Sequence, residues 1–265
     1  MPPKPCCARA RQRTYRAPLR QPLRRTDQAP AVPSRPVGFR GMRVAGVDVW
    51  KGRWVAIVLD DGRYADALVH RELGAMLDAL SGTEAVGVDM PIGLPLGREP
   101  RNADAAARKF LGGPRASSVF PVYPRDVYMT ADYDAARVQS ISLLGKSITR
   151  QAYGIGKRLL ETEVATASRP GVFEVHPEVS FRAMAGARLT RSKTSWNGMH
   201  ERLGLLRENG IVLPVPILAV GDAGVTDLLD AAAGAWSAAR IADNQALSLP
   251  DPPQVIAGRQ VAIWY

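Results

Sequence analysis

Cysteine is nearly absent from this chain of 265 residues. The two that occur, Cys6 and Cys7, are adjacent. Adjacent cysteines form neither a disulfide framework nor a spaced metal knuckle. Beyond them no thiol remains for nucleophilic catalysis or zinc ligation. Histidine is almost as scarce: His70, His176 and His200 are too few and too scattered for a His-built zinc site. No apolar run reaches the roughly 18 residues of a membrane span, and no secretory apolar core follows the start. A reducing cytoplasmic setting with no membrane partner is therefore expected. Neither GxGxxG nor GxxxxGK[ST] occurs, which argues against a dinucleotide fold and a Walker A loop.

Acids are missing from one region only. Residues 1–41 carry ten Lys/Arg against the single acid Asp27, together with eight of the 21 prolines. The remaining residues hold 25 bases and 24 acids, so the net charge of +10 mostly describes the tail. Such composition predicts no fixed structure for 1–41. Three readings stay open there: a leader upstream of a start at Met42, a basic nucleic-acid-binding arm, or an Arg-rich transit peptide. Residues 42–265 are expected to form one domain.

Met42–Val49 (MRVAGVDV) reads as a buried strand that ends on Asp48, Trp54–Asp60 as a second, and Arg63–Val69 as a third after an Asp61-Gly62 hairpin turn. Glu72–Leu80 has helical period. Glu84–Asp89 is a strand, again ending on an acid, and strand–helix–strand implies parallel pairing by a right-handed crossover. Helices are predicted at about Asn102–Phe110, Ala135–Leu144, Gln151–Thr166, Glu178–Ala185, Gly198–Asn209 and Val225–Ala242, and a strand at Val172–His176. Residues 112–135 read as irregular. Gln260–Tyr265 reads as a late edge strand or an extended arm. The order predicts a mixed α/β domain of five strands, an antiparallel meander followed by parallel strands, with a helical insertion at about 98–168.

The acids carry the functional signal. Asp48 and Asp89 close two strands in the matched contexts AGVDV and VGVDM. If those strands are parallel neighbours, both carboxylates reach the carboxyl edge of the sheet, where ligands bind in open α/β folds. A glycine two positions before each acid leaves that face open. Acids sharing one point repel unless a cation lies between them, and oxygen ligands suit Mg²⁺ or Mn²⁺. The last long helix offers Asp227 and Asp230 on one face, followed there by small Ala231 and Gly234, and opposite a stripe of Val225, Leu229, Ala232, Trp236 and Ala239. These two acids either stabilise the helix start through its dipole or deliver one or both carboxylates to the Asp48/Asp89 pair, Asp230 being the favoured one because it lies one turn deeper and next to Ala231. His176 and Glu178 leave the edge of the fifth strand around Pro177, as structural groups or as a proton relay. Bases cluster in 98–158 (eleven against five acids) and 182–207 (six against one), which suggests an anionic substrate. Lys193 in RSKTS, with Arg191, Arg202, Arg115 and Arg125, is the predicted phosphate-contact set.

Seven segments together carry a family resemblance: AGVDVWKGRWVA, VGVDMPIGLP, RNADAAARKFLG, RASSVFPVYPR, FEVHPEVSFRAMAG, Ser192-Lys193-Thr194 with Gly198 and Arg202, and DLLDAAAGAWSA. Over about Met42–Ala242 the chain resembles the domain-of-unknown-function family 429, a branch of the ribonuclease H-like superfamily predicted to be nucleolytic. That resemblance implies a ribonuclease H-like fold and hydrolysis of phosphodiesters by two divalent metals. It maps the ligands to Asp48, Asp89, and Asp227 and/or Asp230. Asp48 would bridge two ions, Asp89 would hold one and a helical acid the other. A nucleic acid, DNA or RNA, is then the expected partner. The alternatives are an inert nucleic-acid-binding or scaffold protein on the same fold, and a hydrolase of a small phosphorylated metabolite.

Overall fold

The computed structural model describes residues 41–265; the tail reading for 1–41 lies outside the described residues except for Gly41. The chain opens with the expected meander, β1 (Arg43–Trp50), β2 (Arg53–Asp60) and β3 (Arg63–His70). Each connection is a two-residue turn with both residues at positive φ, Lys51 (45°) with Gly52 (75°) and Asp61 (50°) with Gly62 (74°). This geometry matches the twist of paired strands and favours Gly at the second position. After α1 (Leu73–Ala79) the chain returns as β4 (Ala85–Val88), parallel to β1. A helical insertion then precedes β5 (Val172–Glu174), which pairs parallel to β4. The five-stranded sheet has the order β3-β2-β1-β4-β5.

Helices cover both faces of this sheet, and β2 reads accordingly as an unbroken apolar run with Trp54–Leu59 fully buried. One face packs Val55, Ile57 and Leu59 against α7 (Pro177–Ala185), α8 (Trp196–Glu208) and α9 (Val225–Ala242). The other packs Ala45, Val47 and Val58 against α1 and the later part of the insertion, whose first helix joins the α7 and α9 side instead. The insertion comprises α2 (Asn102–Leu111), a 3₁₀ turn (Gly113–Ser118), α3 (Arg125–Tyr128), α4 (Tyr133–Leu144), α5 (Arg150–Gly154) and α6 (Gly156–Thr166).

Several elements differ from the sequence expectation. The predicted helix over Gln151–Thr166 is two helices that meet at Ile155. Gly156 lies under the Tyr128 ring, where a Cβ would approach to 2.6 Å. The stretch 112–135 holds two short helical turns. The C-terminal strand is β7 (Arg259–Trp264), but its partner is β6 (Ser248–Ile256) in a separate two-stranded sheet. β6 contains Pro250, Pro252 and Pro253, and proline masks a strand because it cannot donate to the ladder. A single bridge, Val175 to Trp264, joins this hairpin to the main sheet. Val225 does not belong to a buried stripe: it is 52% exposed, whereas Leu229–Arg240 are buried on every side of α9.

The contact of α9 with the sheet is unusually close. A Cβ placed on Gly46 of β1 would lie 2.0 Å from the Ala231 carbonyl oxygen and 2.1 Å from the Ala235 nitrogen. One on Gly87 of β4 would lie 2.6 Å from the Gly234 carbonyl oxygen. Helix backbone therefore rests directly on strand backbone, with no side chain between. Gly46→Ala is expected to cost roughly 3 kcal/mol or more in urea denaturation, at or above the upper range for overpacking, because the colliding atoms are main chain. Gly74→Ala in α1, where nothing lies within 4 Å of the added carbon, is the control. It should be neutral or stabilise by up to about 1 kcal/mol.

Candidate metal centre

The register of β1 with β4 decides where the strand acids fall. Gly46 pairs with Gly87 and Val47 with Val88. The next residues are Asp48 and Asp89, and the Asp89 amide donates to the Val47 carbonyl at 2.8 Å. Alternation then sends both side chains to the α9 face, beside the glycines that admit the helix. Asp230 sits one turn before Gly234, the point of closest approach. One carboxylate oxygen from each of Asp48, Asp89 and Asp230 lies within 4.8 Å of the others. Asp48 and Asp230 are buried and Asp89 is half-buried.

Few hydrogen bonds answer this concentration of charge. Asp48 Oδ1 accepts from the Val49 amide at 2.6 Å, and Asp230 Oδ2 accepts from Lys193 Nζ at 2.5 Å. Asp230 Oδ1 is buried with no partner. Burial, followed by the Asp89 and Asp230 charges, pushes the Asp48 carboxyl well above its usual range. Burial raises Asp89 to about 7 against the pull of Lys193, with Glu178 adding to the rise. Burial likewise raises Asp230 to about 6. Lys193 feels the reverse. Burial disfavours its charge, but Asp230, with Asp89 and Asp48 behind it, outweighs burial and holds the ammonium charged.

Lys193 is aimed by a chain of local contacts. Ser195 caps α8, accepting from the Gly198 amide at 3.1 Å, and its hydroxyl donates to the Ser192 carbonyl at 2.7 Å. The loop folds so tightly over Gly198 that a Cβ there would meet the Ser192 oxygen at 1.9 Å. Beneath it Arg202 of α8 donates twice to Glu178 of α7, at 2.6 and 2.8 Å, and once to the Gly198 carbonyl at 3.0 Å. Both side chains are buried.

The other predicted site residues lie apart from the three carboxylates in differing degrees. Asp227 is half-buried, and its carboxylate folds back over Gly224 at the start of α9, outside the cluster. Glu178 is committed to Arg202, so neither is free for a proton or a phosphate; Arg202 is fully buried. Arg125 pairs with Glu163 at 2.7 Å and Arg191 with Glu201 at 3.4 Å. Arg115 lies on the 3₁₀ turn with its Nε unpartnered. Of the five predicted phosphate contacts, Lys193 is the one that touches the carboxylates. His176 borders a cleft of about 200 Å³ that also reaches Asp48 and Asp89. Burial lowers its pKa despite a hydrogen bond with the Ser118 backbone, and its Nδ1 is unpartnered.

A second buried network went unread in the sequence. Arg101 donates to Glu174 and, at 2.5 Å, to Asp104, and it also reaches the Gly93 carbonyl at 3.2 Å. Glu174 accepts from the Ile92 amide at 2.8 Å. These bonds clamp the loop after β4, which carries Asp89, to β5 and α2. Glu174 and Asp104 also line the cleft. The strand-end position of Glu174 was a usable signal, but Arg101 and Asp104 stand at the start of a helix and look like ordinary surface charges.

The raised carboxyls set a pH dependence. Unfolded aspartates titrate near 3.9, so between about pH 4 and 7 the folded chain binds more protons than the unfolded one. The contribution of these three carboxyls to stability without metal should therefore be full below about pH 4 and be lost as pH rises through the folded values. Thermal melts in chelator across that range are the measurement. Asp89→Asn should raise Tm at pH 7.5 by about 2–4 °C for each kcal/mol of repulsion relieved and flatten the profile. Mn²⁺ should raise the wild-type Tm at the same pH.

The sheet order, the meander followed by parallel strands, and acids at the ends of β1 and β4 opposite a late helix make this a ribonuclease H-like fold with a buried acidic triad. Among the described residues no helix is long and apolar enough to cross a membrane. No curated protein and no solved structure matches the chain. The family model described as protein of unknown function (DUF429) matches residues 46–255, from the first strand glycine at the helix contact to the C-terminal hairpin, and the chain belongs to that family.

Proposed function

We propose that this chain is a divalent-metal-dependent hydrolase of nucleic-acid phosphodiesters, with Mg²⁺ or Mn²⁺ held by Asp48, Asp89 and Asp230. One observation carries the reading: the buried Asp48 and Asp230 carboxylates and the half-buried Asp89 carboxylate converge within 4.8 Å, and Asp230 Oδ1 has no partner. A buried acceptor without a donor costs about 1–3 kcal/mol, and the all-oxygen donor set fits a hard cation. The residues present thus fit the ion. When bound, such an ion lowers the pKa of an attacking water and draws charge from the leaving oxygen.

The remaining work falls to side chains. Lys193, held charged and 40% exposed, faces both solvent and the carboxylates, so its ammonium is available to a phosphate oxygen once an ion has taken up Asp230. His176 borders the cleft with a buried, unpartnered Nδ1, and burial disfavours its charged form, so it takes part there as a neutral group. The Glu178–Arg202 pair keeps the Lys193 loop in place, and the Arg101 network does the same for the Asp89 loop.

The Lys193–Asp230 contact also favours a second reading. An internal ammonium already neutralises part of the cluster, as it would in a metal-free binding protein. Calorimetric titration with Mn²⁺, in parallel with cleavage of single- and double-stranded substrates, separates the two. Asp48→Asn and Asp230→Asn should weaken Mn²⁺ binding at least tenfold and lower turnover by about 10³ or more, in line with about 4 kcal/mol of lost transition-state stabilisation. Asp227→Asn should bind Mn²⁺ within a few-fold of wild type. Equal Mn²⁺ affinity across all three variants and wild type would leave only the binding-protein reading.

A further inference from the structure

A groove of about 890 Å³ lies at the edge of the sheet where Asp48 emerges, and nothing in the hydrolase reading uses it. Its walls are the β1–β2 turn, the start of α1 and one side of α6. Five bases line it (Lys51, Arg53, Arg71, Lys157 and Arg158) against two acids, Glu72 and Glu161. We propose that this groove is a track for the phosphate backbone of a nucleic acid that continues toward the carboxylate triad, an assignment that rests on the hydrolase reading and makes the substrate a polymer.

The charges in the groove are not symmetric. Glu161 is consumed internally: it accepts from Trp54 Nε1 at 3.0 Å, from the Leu73 amide at 2.6 Å and from Arg158 at 2.5 Å. Arg158 is fixed by that bond and by bonds to the Gly52 and Arg71 carbonyls. It ties the turn to α6, so the wall is preformed. Lys51, Arg53, Arg71 and Lys157 are exposed, and none has a carboxylate within ion-pair distance among the described residues. Four solvated cations around one concavity repel each other, and a row of phosphates would relieve them.

Position connects the groove to the triad. Lys51 follows Asp48 by three residues, past the end of the same strand. Its charge also reaches the Asp227 carboxyl at the head of α9. A concave groove admits a chain and not a flat bilayer. Of linear polyanions, a phosphodiester is the one that the adjoining carboxylate cluster is suited to receive. Among the described residues no aromatic ring lines the groove, so bases would have nothing to stack on there and contacts would run to the backbone. Binding there should accordingly depend steeply on salt and little on sequence.

The test uses the full chain and the triple variant R53A/R71A/K157A. Fluorescence anisotropy in chelator follows labelled single-stranded and duplex oligonucleotides of mixed sequence over a range of salt. The variant should bind at least tenfold more weakly at low salt, with a slope of log affinity against log salt shallower by about two to three. Mn²⁺ affinity and hydrolysis of bis(p-nitrophenyl) phosphate, which is too small to reach the groove, should match wild type and verify folding. Unchanged affinity and slope, or no oligonucleotide binding by wild type, would overturn the track. So would equally tight groove-dependent binding of poly-glutamate or of phosphatidylserine vesicles. Groove-dependent oligonucleotide binding with no metal-dependent hydrolysis of any substrate would instead remove the hydrolase reading and leave the track standing.

Discussion

Helix backbone touching strand backbone is the constraint on which the rest of this molecule depends. Gly46 and Gly87 meet the α9 backbone at Ala231, Gly234 and Ala235, and no side chain would fit at either strand position. The approach fixes the height of α9 above β1 and β4. It thereby fixes where Asp230 stands relative to Asp48 and Asp89, each strand acid being two residues past its glycine. A conventional side-chain layer would lift the helix by several ångströms and the three carboxylates would no longer share one point. The apolar packing and the electrostatic cluster thus have a common origin in the absence of a Cβ atom at Gly46 and Gly87.

That geometry is electrostatically unfavourable without a cation, and the surroundings limit the damage without removing it. Lys193 answers one oxygen of Asp230, and Val49 answers one of Asp48. Burial leaves the Asp89 carboxyl raised to about 7. Close by, Glu178 and Glu174 are each matched by a buried arginine, Arg202 and Arg101. The contrast is informative. Where the fold needs a buried carboxylate for structure it supplies a guanidinium and a second bond, both from Arg202 for Glu178, and from Arg101 and the Ile92 amide for Glu174, as buried charge requires. At Asp48, Asp89 and Asp230 the pairing stays incomplete, the pattern expected where charge serves a ligand.

How much of this was legible in the sequence follows from the range of the interactions involved. The meander, the crossover and the strand-end acids rest on local period and turn chemistry, Asp61-Gly62 above all, and they match the structure. The glycine before each strand acid signalled an open face correctly. The choice between Asp227 and Asp230 needed the depth of the helix contact, which sequence spacing alone could only suggest through Ala231 and Gly234. Arg202 looked like a phosphate contact because a charge run says nothing about which of its members turn inward; Glu178, 24 residues away, claims it. The β6 strand was hidden by its prolines. Arg101, Glu174 and Asp104 are joined across as many as 73 positions, a separation no periodicity reports.

The two faces of the sheet divide the labour in a way that bears on what kind of substrate fits. The α9 face supplies Asp230 and the Lys193 loop. The opposite face carries the later helices of the insertion, of which α6 supplies one wall of the basic groove, while α2 packs on the α7 and α9 side with Arg101 just before it. Elements of both layers lie toward the carboxyl end of β1, so a ligand spanning that edge would touch both. A small phosphorylated metabolite needs only the cleft of about 200 Å³ beside Asp48 and Asp89. It would give no reason for Arg53, Arg71 and Lys157 to stand unpaired around a separate groove of about 890 Å³ at the same edge. A chain of phosphodiesters would use both at once. The cluster would act on one linkage, while the groove held those beyond it, and the missing aromatic platform would leave base identity unread. On that physical division of roles, an extended polyanion suits the molecule better than a compact one.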